Sequence, residues 1–170
     1  MLSSESSPLF SQVRVYLRKA EYFLFLLLLI VLSTLPSWNW IEMRPQLFLI
    51  ALYHWTLYQP SLLNLGQIFF LGLIQDSIYG YPLGLSSVGF LLLHGALLTQ
   101  QRYLLEATLM ISWLGFAMFS LIDSLFHWGL FSYGIGAWLE YSGTLPGLFL
   151  TISLYPFGVK ILALLKNKLG

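Results

Sequence analysis

Apolar residues run through the chain in long stretches, and polar or helix-breaking residues divide them into six segments. The first segment extends from about Arg18 to Pro36 and closes in Pro36-Ser37-Trp38-Asn39-Trp40, where two Trp fit an interfacial aromatic belt. The second opens at Arg44-Pro45, proline being tolerated in a first turn, and reaches Gln59-Pro60. Its length of about 15 residues is short for a hydrocarbon core of about 30 Å. It must therefore tuck against neighbours, extend into the Trp38 region or thin the bilayer locally. The third covers roughly Ser61 to Tyr79, with Gly80 to Gly84 as a tight turn, and the fourth runs from Leu85 to Thr99, closed by Gln100-Gln101-Arg102. The fifth spans about Glu106 to Leu125 and ends near His127-Trp128-Gly129. A loop of Gly and aromatic residues including Glu140 follows. The sixth goes from Thr144 to Leu165, and its internal Pro146, Gly147, Pro156 and Gly158 predict kinks whose freed backbone bonds neighbouring groups re-satisfy.

Composition turns these segments into membrane spans. The chain is 58% hydrophobic and 9% charged over 170 residues, with mean hydropathy +0.77, where a soluble domain carries about 25% charged residues. The fold class predicted is an all-α polytopic membrane protein, a six-transmembrane-helix bundle with its N- and C-termini cytoplasmic. Its parts are a polar N-terminal segment over 1–20, a six-span membrane domain over 21–165 and a basic tail over 166–170. Arg14, Arg18 and Lys19 before the first apolar run resemble the start of a secretory signal. No Ala-x-Ala-like site follows and further apolar segments do, so an uncleaved first helix is the better reading. With the N-terminus inside, Arg14, Arg18, Lys19, Arg102, Lys160, Lys166 and Lys168 lie at the cytoplasmic side, and Arg44 alone lies outside. Lys160 reaches the headgroups by snorkelling. The net charge of +1 gathers into no basic face, so nucleic acid is not a predicted partner. With no Cys, disulfides and thiolate metal sites are excluded.

The chemistry concentrates in Gly72-Leu73-Ile74-Gln75-Asp76, continued by Gly80-Tyr81-Pro82-Leu83-Gly84. Gly72, Asp76 and Gly80 are four apart, so on helical spacing they share one face that is small, acidic and small. An ionisable side chain in lipid turns toward protein or water, and small residues beside it let a neighbouring backbone approach. Asp123 is the other acid placed within a span, with His127 one turn on. Leu73 to Gly80 loosely echoes Leu121 to Gly129, and the two segments run in the same direction, which puts both acids toward the outer face. Two readings stay open: a polar cavity opening outward, lined by Asp76, Asp123 and His127, or carboxylates that hold the fold by accepting from loop amides such as those after Asp76. His94 is expected to make a buried interhelical hydrogen bond, with Gly95 permitting close packing. His54, His94 and His127 fall on separate spans without metal-binding spacing. Ser86-Ser87 and Ser120 lack a Gly-x-Ser-x-Gly setting, and there is no phosphate-binding loop, so no cofactor, metal or catalytic residue is predicted.

These motifs resemble the MreD family of bacterial inner-membrane, rod shape-determining proteins. The resemblance rests on the acid in its Gly-Leu-x-x-Asp setting and on Gly80-x-Pro82-Leu83-Gly84, with weaker matches at Arg44-Pro45 and at Leu154-Tyr155-Pro156 before a basic end. Gln46 stands where the family usually has Asp, and Gln75 where it is usually apolar. The resemblance implies a non-enzymatic, multi-pass subunit of the wall-elongation machinery. It would bind MreC, a bitopic membrane protein, and through it MreB, a RodA-type glycosyltransferase and a transpeptidase. The family is also similar in fold to the substrate-binding subunits of energy-coupling-factor vitamin transporters. That implies an alternative: a small-molecule binding subunit using Asp76, Asp123 and His127. A scaffold would show an apolar lateral groove with its polar residues mutually satisfied, whereas a transporter subunit would show a polar outward pocket of roughly 300 Å³ or more.

Overall fold

The computed structural model describes residues 8–33, 45–135 and 144–169. Its elements are helices α1 (Pro8–Ser33), α2 (Leu47–Tyr58), α3 (Leu65–Tyr79), α4 (Leu85–Glu106), α5 (Leu109–Ile135) and α6 (Leu145–Leu169), with a 3₁₀ turn at Pro60–Leu62. The described residues form no strand. The Trp38-Trp40 group, Arg44 and the loop with Glu140 lie outside them.

Several helices outrun the segments read from the sequence. α1 is already helical from Pro8, ahead of Arg18, because nothing between them breaks the helix. α4 continues through Gln100-Gln101-Arg102, all good helix formers, and stops where Ala107 turns extended. α5 passes Gly129 and reaches Ile135. In α6, Pro156 lies inside one continuous helix. Proline removes the amide that would bond four residues back, and the carbonyl so freed, that of Ile152, accepts the Trp113 indole N–H at 3.0 Å.

α2 is the centre of the bundle. It has no polar stripe, and Phe48 to Leu57 are all buried, as a helix apolar all round must be. The burial of Phe48 to Leu57 is what tucking against neighbours requires of so short a segment; the Trp38 region lies outside the described residues. α1, α4, α6 and α5 pack around it, and α3 lies farther out against α4 and α1. Tyr53 anchors one side: its ring meets Phe116, Phe119 and Tyr155 with centroids 5.3, 5.5 and 5.8 Å away, and its hydroxyl donates to the Ser112 carbonyl at 3.1 Å. Thr56 Oγ1 and His94 Nδ1, 2.9 Å apart, form the interhelical bond expected of that histidine. Gly95 does not face a neighbour; a Cβ there would meet nothing within 4 Å.

Polar contacts fix the order of the ends. Lys19 Nζ lies 3.5 Å from Asn64 Oδ1, and Gln101 Nε2 donates to the Leu57 carbonyl at 2.6 Å, so these residues share one end. At the other, the Gln46 amide donates to Thr151 Oγ1 at 2.9 Å. Among the described residues, two helices are long and apolar enough to cross a membrane, over Leu109–Gly134 and Leu145–Ala163.

Two backbones come close between α3 and α4, where a Cβ on Gly72 would sit 2.4 Å from the Ser87 Cα. Gly72→Ala must push the helices apart, at a cost of about 1–3 kcal/mol or more. Gly66→Ala on the same helix meets open space and leaves stability unchanged or slightly raised. Thermal denaturation of the two purified variants in detergent separates them.

Candidate functional site

α3 ends because Gly80 takes a left-handed conformation (φ 71°, ψ 25°), and the amides of Gly80 and Tyr81 both donate to the Asp76 carbonyl. Glycine tolerates that conformation without a Cβ penalty. Tyr81, Pro82 and Leu83 then cross to Gly84, again left-handed at φ 96°, and α4 begins at Leu85. Gly84 has no side chain with which to cap the helix it precedes. The Asp76 side chain, reaching from the previous helix, does so instead: Oδ2 accepts from the Gly84 amide at 2.8 Å and Oδ1 from the Ser86 amide at 3.0 Å. A carboxylate at a helix N-terminus gains both the orphan donors and the positive end of the helix dipole. Asp76 has no exposed surface.

The same serine carries the network onward. Ser86 Oγ lies 3.0 Å from His127 Nε2, and His127 Nδ1 lies 2.9 Å from the Asp123 carbonyl and 3.4 Å from Asp123 Oδ2. A carbonyl only accepts, so Nδ1 carries a proton, and in the neutral ring Nε2 accepts from the Ser86 hydroxyl. Gly89 makes room for this: a Cβ there would lie 3.2 Å from the Phe126 ring and 3.6 Å from His127 Cε1. The chain Asp76, Ser86, His127, Asp123 thus ties the turn, α4 and α5 together at one end of the bundle. Both oxygens of Asp123 and the hydroxyl of Ser120 are buried with no hydrogen-bond partner among the described residues.

Ser86, His127 and Asp123 stand in the order of a nucleophile, base and orienting carboxylate, but the arrangement does not suit acyl transfer. The serine has no exposed surface, and its amide, a natural oxyanion donor, is already given to Asp76. What the geometry performs is satisfaction of backbone and side-chain donors away from water. Among the described residues, no three His, Asp or Glu side chains converge as metal ligands.

The sequence singled out Gly72, Asp76, Gly80, Pro82, Leu83, Gly84, Asp123 and His127, and their placement differs by residue. Gly72 meets Ser87, while Asp76, Asp123 and His127 share the network. Gly80 leaves the shared face, because it is the residue on which the helix ends; a Cβ there would touch nothing within 4 Å. Pro82 and Leu83 are exposed at the tip of the turn. Ser86 is the member that sequence reasoning missed as a link; a serine in a first helical turn is unremarkable, and its imidazole partner comes from another helix. Gln46 and Gln75 line one small cavity of about 10 Å³ with Ser33 and Tyr79, enough for about one water molecule. A larger groove of about 290 Å³ lies between α4 and α5, lined by Leu92, Ala96 and Gln100 on one side and Gly115, Met118 and Ile122 on the other.

Against known proteins, the family model described as rod shape-determining protein MreD matches residues 14–165. No curated protein and no solved structure matches the chain.

Asp76→Asn keeps the shape of the side chain but presents an NH₂ group to one of the two amides, leaving buried donors without an acceptor. The expected cost is about 1–3 kcal/mol. Asp123→Asn is expected to cost less, since its oxygens accept no hydrogen bond among the described residues. Unfolding of both variants in detergent, monitored by circular dichroism, measures the order.

Proposed function

This chain belongs to the MreD family, and we propose that it is a scaffold subunit of the bacterial elongation machinery. In this reading it sits in the inner membrane with all six helices in the bilayer and both termini cytoplasmic. It performs no chemistry of its own. It binds an MreC-like bitopic protein directly, and MreB, a RodA-type glycosyltransferase and a transpeptidase through that partner, in support of lateral peptidoglycan synthesis. Gly72, Asp76 and the Gly80-to-Gly84 turn are its structural key, and Asp123 and His127 brace that key from α5.

The observation that carries this reading is the family match over nearly the whole chain. Two features of the structure support it. The buried carboxylate of Asp76 and the imidazoles of His94 and His127 are engaged with other parts of the same chain, which leaves them for holding the bundle together. The groove between α4 and α5 is apolar apart from Gln100, a lining that suits side chains of a partner helix packing in lipid better than a polar vitamin.

Affinity capture of the tagged protein from bacterial membranes, with the Asp76→Leu variant alongside, tests the proposal. The expected result is a bitopic membrane protein recovered with the unaltered chain and reduced severalfold or lost with the variant. Recovery of a tightly bound small molecule and no protein partner would reverse the reading.

A further inference from the structure

The helices differ in how much apolar surface they offer to lipid. α2 is hidden, so its shortness is not felt by the bilayer. α3 lies at the edge and turns Leu65, Phe69, Phe70 and Ile78 outward. From Leu65 to Tyr79 it rises about 22 Å, against a hydrocarbon core of about 30 Å. Exposed Asn64, touched by Lys19, marks one limit, and at the other the helix ends on left-handed Gly80. α5 is different. Leu109, Met110, Met118, Ile122 and Leu130 are all exposed along it, a rise of about 33 Å. The single charged residue within that stretch, Asp123, is buried. Tilting shortens the reach of a long helix until it matches the bilayer, but it cannot lengthen a short one.

We propose that the apolar belt of this protein is a wedge, and that its α3 face is occupied by phospholipid drawn into a bilayer locally thinned by about 8 Å. The α5 face meets lipid at full thickness. The wedge rests on the membrane-spanning reading given above.

The chain contains no cysteine, so single nitroxide labels are introduced cleanly at exposed positions as Leu65→Cys, Ile78→Cys and Met118→Cys. Collision with oxygen and with a water-soluble nickel complex gives the depth of each label in dioleoyl phosphatidylcholine vesicles. The expected result is that the labels at 65 and 78 both read headgroup depth while the label at 118 reads the hydrocarbon centre. In an unthinned bilayer at least one of the α3 labels would lie about 5 Å or more below the headgroups, and that result overturns the wedge. Labels at 65 and 78 shielded from both reagents overturn it too, by showing a second copy on that face. A shallow label at 118 would remove the membrane-spanning reading itself, and the wedge with it.

Discussion

A helix whose first turn is buried leaves its amides there without water as an acceptor, and each unsatisfied buried donor costs about 1–3 kcal/mol. α4 begins after Gly84, a residue that offers no side-chain oxygen. The carboxylate of Asp76 supplies what is missing, at 2.8 and 3.0 Å. Much else at that end of the bundle follows from this one bond set. It holds the first turn of α4 against the last turn of α3, beside the point where Gly72 lets the two backbones nearly touch. It also fixes Ser86, whose hydroxyl then reaches His127 and ties α5 to the same turn.

The remainder of the bundle is organised on a different principle. Where lipid surrounds a bundle, burying apolar surface between helices gains little, so close packing and interhelical hydrogen bonds must hold it together. α2 collects both. Its aromatic and aliphatic side chains from Phe48 to Leu57 are buried, and three of its polar groups meet partners on other helices: Thr56 with His94, Tyr53 with the Ser112 carbonyl, and the Leu57 carbonyl with Gln101. Trp113 applies the same economy across α6, where it accounts for the carbonyl that Pro156 leaves free. The short central helix is thus the one whose surroundings are almost entirely protein.

A member of the rod shape-determining family built this way presents to its surroundings mainly apolar side chains. Its polar interior specifies which helices touch. Its exterior, including the groove between α4 and α5, offers shape and apolar contact to whatever lies beside it in the membrane.

The sequence by itself determined the helical class, the membrane setting and the position of the glycine-rich turn, because these follow from local properties: apolar runs, sparse charge and residues that tolerate a left-handed backbone. It also marked Asp76, since a carboxylate in an apolar run needs an acceptor's partners close by, and the free amides of the turn lie eight and ten residues on. Helix ends at Arg18, Gln100 and Gly129 were misplaced, because polar residues and a lone glycine inside a helix look like boundaries until packing and continuous hydrogen bonding carry the helix past them. Only the tertiary structure decided that Ser86 joins His127, 41 residues away, that Gly95 faces outward while Gly72 meets a backbone, and that the shortest helix is the central one. Those facts depend on which faces meet across the bundle, and the order of residues along one chain does not carry that information.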